Sequence, residues 1–152
     1  MKEHDGAALS VLYLGGTGTI STSCVRLSVE SGMSVFVLNR GNNSADRDLP
    51  DGVTWLTGDV ADDASLLAAL GDRQFDAVVN FLSYDADDVD RMVKIFGSRT
   101  AQYVHISSGS IYAKPVQQSP ITESTPVGPN AALEYATAKW RAEVALQQAM
   151  TA

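Results

Sequence analysis

Three groups of residues in this chain have types and spacings suited to chemistry. Tyr135 and Lys139 stand four apart, a spacing that on a helix stacks both side chains on one face, about one turn from each other. An ammonium beside a phenol favours the phenolate, so such a pair is suited to giving and taking a proton near neutral pH. Ser107, Ser108 and Ser110 supply three hydroxyls that can orient a carbonyl or an alcohol, although serines that merely end a strand and bond local backbone give the same pattern. The third group is Gly15-Gly16-Thr17-Gly18-Thr19-Ile20-Ser21, where glycines permit a sharp turn and a close approach of backbone to a ligand.

These groups need elements that hold them in place. Short β-rich runs alternate with helix-length amphipathic segments, the rhythm of a parallel sheet with crossover helices. Strands are predicted at Leu9–Leu14, Val35–Leu38, Val53–Leu56, Ala77–Phe81 and Tyr103–Ile106. Helices are predicted from about Gly18 to Ser31, then over Ala61–Leu70, Asp85–Phe96 and Ala131–Met150. Leu66, Leu67 and Leu70 share a face of the second helix, and Val89, Met92, Val93 and Phe96 a face of the third. Gly41–Asp51 is turn-rich and polar, hence a surface loop. From Ser107 onward Pro115, Pro120, Pro126 and Pro129 punctuate a long irregular stretch, which reads as an active-site loop.

The predicted fold class is therefore α/β, a doubly wound parallel sheet of about five strands. The glycine loop falls between its first strand and first helix, where free N–H groups and the positive end of the helix dipole make a pyrophosphate site without any basic side chain. Doubly wound sheets place ligands beyond the carboxyl ends of their strands, and the serines follow the fifth. Loop, serines and Tyr135/Lys139 together read as hydride-transfer chemistry, with a dinucleotide moving hydride and Tyr135 the proton. After the second strand, where an acidic residue usually bonds the adenosine ribose, stand Asn39 and Arg40. A guanidinium there can pair with a 2′-phosphate, so NADP is expected ahead of NAD. Arg40 as an ordinary solvated charge is the alternative.

The totals exclude several classes. A chain of 152 residues suits one domain. A formal charge of −7, from 11 basic and 18 acidic residues, argues against a surface that grips nucleic acid or anionic lipid, so any anion site must be local. The longest apolar stretches are strand-sized, and Lys2, Glu3, His4 and Asp5 stand where a signal peptide needs its apolar region. A cytoplasmic protein, off the membrane, is the expectation. Cys24 is the single cysteine, which excludes an internal disulfide and a cysteine metal cluster. It reads as a packed thiol, and no metal site is expected.

In this order the motifs resemble the extended short-chain dehydrogenase/reductase superfamily, in particular its NAD-dependent epimerase/dehydratase group, over nearly the whole chain. Gly15 to Ile20 resembles the nucleotide loop of that Rossmann fold, and Gly58-Asp59-Val60 its adenine-contacting strand end. Val104 to Tyr112 is similar to the catalytic-serine segment, and Tyr135-Ala136-Thr137-Ala138-Lys139 to the catalytic helix. The resemblance implies Ser108 as catalytic serine, with Ser107 and Ser110 as possible substitutes and Ser107 otherwise beside the cofactor. It implies Asp59 on the adenine amino group, Phe81-Leu82-Ser83 close to the cofactor, and Lys139 on the nicotinamide ribose. The implied activity is an NAD(P)-dependent epimerase, dehydratase or reductase acting on a nucleotide sugar or similar hydroxyl or carbonyl compound. A non-catalytic NAD(P)-binding or regulatory module, or half of a split enzyme, is the alternative.

Asn39-Arg40-Gly41 also resembles a branch that includes reductases and chloroplast RNA-binding relatives. Two departures stand out. Ser21 occupies the place of the third glycine, and the chain ends after the catalytic helix, so residues 1–152 are expected to be the nucleotide-binding part, truncated, without the substrate-binding region. Association as a homodimer, or with a partner, is expected through Leu133, Trp140, Val144 and Leu146 on the last helix, which in the proteins it resembles is often a dimer interface.

Overall fold

The computed structural model describes residues 8–41, 49–116 and 119–151. It divides into two compact units, Met1–Leu82 with Ser98–His105, and Ser83–Gly97 with Ile106–Ala152.

The first unit is a five-stranded sheet in the order β3-β2-β1-β4-β5, every neighbouring pair parallel. Its strands are β1 (Ser10–Leu14), β2 (Ser34–Asn39), β3 (Thr54–Thr57), β4 (Phe75–Asn80) and β5 (Thr100–His105), and its helices α1 (Ser21–Glu30) and α2 (Asp63–Leu70). Val11, Leu12, Tyr13 and Leu14 are all buried, so β1 has no solvent face, as a parallel sheet covered on both sides requires. On one face Val11, Tyr13, Val35 and Val37 form a cluster with Val25 of α1, and Cys24 packs against it half-buried. The Tyr13 hydroxyl and Ser28 Oγ hydrogen-bond at 2.8 Å in that interior, which satisfies both polar groups. Phe36 of β2 and Phe75 of β4 meet edge to face at 5.3 Å. This is the doubly wound, Rossmann-type sheet that the alternating pattern predicts.

Helix α2 starts at Asp63, with Asp62 accepting from the amides of Ala64 (2.9 Å) and Ser65 (3.3 Å), the bonding expected of an aspartate at an N-cap. The helix meets β3 closely at Gly58, where a Cβ would lie 2.8 Å from Ala69 Cβ and 3.1 Å from the Ser65 carbonyl oxygen.

The second unit holds α3 (Ala86–Phe96), a 3-10 turn (Gly109–Ile111) and α4 (Glu134–Ala149). Asp85 caps α3 on the Asp88 amide at 2.9 Å, and Val89, Met92 and Phe96 are its buried residues, three of the four expected to face inward. Helix α4 packs on α3 and buries Ala136, Lys139 and Ala142. The irregular stretch folds back on itself, with Tyr112 bridging antiparallel to Val127 and the Ala113 amide donating to the Pro126 carbonyl at 2.9 Å.

Several boundaries differ from the pattern-based ones. β5 runs Thr100–His105 instead of Tyr103–Ile106, because Thr100 and Gln102 pair with Phe75 and Ala77 on an edge that tolerates polar residues. α1 begins at Ser21, not Gly18, and α4 at Glu134, not Ala131. The Asn130 side chain instead accepts from the Ala132 amide at 3.0 Å and forms a turn. Leu133 is thereby the exposed N-cap of α4 and not a residue of its apolar face, while Trp140, Val144 and Leu146 are half-buried. Residues 42–48 of the predicted surface loop and the charged residues Lys2 to Asp5 lie outside the described residues. Among the described residues no helix is long and apolar enough to cross a membrane.

Candidate functional site

In the first unit the candidate residues follow the carboxyl ends of neighbouring parallel strands. Gly15 to Ile20 form the bend from β1 into α1. Gly15 has φ +83°, and a Cβ there would come within 2.8 Å of the Leu82 side chain, so only glycine fits on both counts. Gly18, Thr19 and Ile20 are exposed, Ile20 at 70%, and Thr17 is half-buried. The N-cap of α1 is Ile20, which has no capping hydrogen bond, and no acidic residue stands in the first turn. The positive end of this helix therefore has neither a side-chain cap nor an acidic first-turn residue of its own to compensate it. Such a loop fits the diphosphate of a dinucleotide, because the cradle is backbone and its rim is open.

The neighbouring strand ends are tied to one another. The Gly58 amide donates to the Asn39 carbonyl at 2.8 Å, and the Phe81 amide to the Leu14 carbonyl at 3.1 Å. Asn39 Oδ1 accepts from the Gly41 amide at 2.9 Å, which fixes the carboxamide at the end of β2. Arg40 beside it is exposed. Asp59 is placed by two bonds, its amide donating to Ser65 Oγ at 3.0 Å and its Oδ1 accepting from the Ala61 amide at 2.9 Å. Val60 is buried. After β4, Asn80 holds the chain with both ends of its amide, donating to the Tyr103 hydroxyl at 2.8 Å and accepting from the Leu82 amide at 2.7 Å.

The second unit carries the proton-transfer candidates. Ser108 Oγ and Ser110 Oγ lie 2.8 Å apart, and Ser108 Oγ also accepts from the Ser110 amide at 3.2 Å, so this hydroxyl caps the 3-10 turn. Ser107 Oγ is buried without a hydrogen-bond partner, a cost that a ligand's polar group would remove. Lys139 is 2% exposed. Its Nζ donates to the carbonyls of Ser83 (2.6 Å) and Ile106 (2.8 Å) and sits 5.0 Å from the centre of the Tyr84 ring. Burial pushes the Lys139 ammonium below the usual lysine value, with the charges of Asp88 and Glu143 pulling it back up. Tyr135 is 45% exposed. Among the described residues no hydrogen bond joins it to Lys139, whose contacts are Ser83, Ile106 and Tyr84.

Three contributors escape a reading of spacing alone. Ser21, which in sequence is only a stand-in for the third glycine, and Ser65, which looks like an ordinary helix serine, act on loops through their hydroxyls. Tyr84 faces Lys139 across 55 positions of chain, and only its place directly after Phe81-Leu82-Ser83 hints at the role.

The model of the NAD dependent epimerase/dehydratase family matches residues 11–152. A UDP-glucose 4-epimerase from Lactobacillus helveticus is 26% identical over 138 residues, covering 80% of this chain and 42% of that protein. The Bordetella bronchiseptica enzyme WbmH, solved in complex with NAD+, shares the fold with a TM-score of 0.72 at 23% identity, over 94% of this chain and 53% of that one. The dTDP-glucose 4,6-dehydratase of Bacillus anthracis, in complex with NAD, has a TM-score of 0.73 at 20% identity, over 95% and 51%. The chain spans about half the length of the proteins it matches.

Proposed function

The chain belongs to the NAD dependent epimerase/dehydratase family, and from that premise we propose that it binds a nicotinamide dinucleotide for hydride transfer at a hydroxyl- or carbonyl-bearing carbon. The substrate class we assign is a nucleotide sugar or a similar small molecule, supported by the UDP-glucose 4-epimerase among its relatives. The observation that carries the reading is the glycine bend into an α1 whose N-terminus has no capping side chain and no acidic first turn.

Each residue takes one task. The amides at the start of α1 hold the diphosphate, and Asp59, Val60, Phe81 and Leu82 line the nucleotide. Ser108 orients the substrate oxygen, and Tyr135, exposed to its surroundings, moves the proton. Two of the three ammonium donors of Lys139 are spent on carbonyls, which leaves a third for the ribose. When bound, the nicotinamide supplies the hydride chemistry that no side chain can. Asn39 and the exposed Arg40 favour the 2′-phosphate of NADP, although WbmH and the dehydratase were solved with NAD.

Titration calorimetry of the chain with NADP(H) and NAD(H) tests this. Binding tighter than millimolar is expected, with NADP ahead and the preference lost in Arg40→Ala. Absence of millimolar binding to both cofactors removes the reading, and equal affinities unaffected by Arg40→Ala remove the NADP preference alone.

A further inference from the structure

The place where the glycine motif is broken carries more of the loop's geometry than a tolerated substitution would. Ser21, the first residue of α1, is 1% exposed. Its Oγ accepts from the Gly18 amide at 2.9 Å and donates to the Gly15 carbonyl at 2.7 Å, with the Gly18 carbonyl farther off at 3.3 Å. A hydroxyl has one proton to give, and the shorter contact assigns it to Gly15. The next residue completes the hold, since the Thr22 amide and Oγ1 both donate to the Gly18 carbonyl, at 3.0 and 2.8 Å. Gly18 is thus gripped at its N–H and its C=O by the first two residues of the helix it precedes, while Gly15, at positive φ, is gripped by its C=O.

We infer that Ser21 is a positioning residue, whose hydroxyl pre-shapes the phosphate loop by bracing Gly15 against Gly18. A glycine at this place offers no atom for that task. A loop of three glycines has wide backbone freedom, and ordering it around a ligand costs conformational entropy. A loop already braced from inside loses less on binding. The brace also occupies the Gly18 amide. Removing the hydroxyl takes a partner from the Gly15 carbonyl and from the Gly18 amide together.

This inference rests on the dinucleotide reading, and the experiment separates the two. ADP and adenosine are titrated by calorimetry into the native chain and into Ser21→Ala and Ser21→Gly. The glycine variant restores the residue the motif ordinarily has, which guards against a misfolded alanine variant, and thermal melts report on both. Loss of the brace is expected to weaken ADP about tenfold, the worth of one to two hydrogen bonds, and to leave adenosine, which has no phosphate, unchanged. Amide exchange at Gly18 is expected to quicken about as much while Leu12 and Tyr13 of β1 keep their protection. Variants that match the native chain in ADP affinity and Gly18 exchange overturn the role of Ser21 alone, as does an equal loss of ADP and adenosine, which reads as general loosening. A native chain that binds neither ligand overturns the dinucleotide reading and this inference with it.

Discussion

Burying an ammonium costs more than one solvated hydrogen bond returns, so Lys139 has to be accounted for donor by donor. The four-residue spacing from Tyr135 marks it as a candidate, but spacing says nothing of the Ser83 and Ile106 carbonyls that hold its Nζ. Replacing it with methionine keeps most of the bulk and strands those two acceptors, so Lys139→Met should destabilise the fold by about 1–3 kcal/mol in urea unfolding. The pH dependence has a definite sign. Because burial lowers the folded-state value, the unfolded chain keeps the proton to higher pH than the folded one. Native stability therefore rises with pH between that lowered value and the ordinary lysine value, and below it the full cost of the buried charge remains. The stability gap between native chain and variant should widen toward alkaline pH, and a constant gap across a pH series of urea midpoints contradicts the burial of a charged Lys139.

At the scale of elements, the turn from β3 into α2 puts one carboxylate in place by excluding a side chain next to it. Gly58 lets Ala69 and Ser65 approach, and Ser65 Oγ then receives the Asp59 amide. Gly58→Ala forces α2 away from β3, a strain of about 1–3 kcal/mol by the usual cost of overpacking. It should lower the melting temperature and weaken adenosine binding together. An unshifted melting temperature would show that the helix gives way freely. Strand interiors were legible, since Leu9–Leu14 and Val35–Leu38 differ from β1 and β2 only at their ends. The start of β5 was not, because Thr100, Ala101 and Gln102 have no apolar signature and join the sheet through backbone pairing with β4. The start of α4 was hidden too, because Asn130 diverts the backbone into a turn that helix propensity over Ala131–Leu133 does not register.

For the whole molecule, a formal charge of −7 means that an anionic nucleotide approaches a repelling field. On the proposed reading attraction comes from backbone amides at one loop, and these release no condensed counterions. Raising sodium chloride from about 0.05 to 0.5 M, which shortens the screening length several-fold, should leave ADP affinity unchanged or slightly improved. A steep loss of affinity with salt would instead mark a cluster of basic side chains as the binding surface. Calorimetry across a salt series distinguishes the two, and Arg40, the cation at the end of β2, is the one to replace if affinity does fall.

The amino-acid sequence by itself determined the strand and helix rhythm, the glycine bend, the family resemblance and the identities of Ser108, Tyr135 and Lys139 as candidates. Those are properties of local periodicity and residue type, and they survive without knowledge of what lies across the fold. Tertiary structure decided which atoms meet: Ser21 with Gly15 and Gly18, Ser65 with Asp59, and Lys139 with two carbonyls and the Tyr84 ring. The physical reason is that a hydroxyl or ammonium can bond any acceptor within reach. Only the packing of buried backbone, whose polar groups must find partners away from water, selects which acceptor that is.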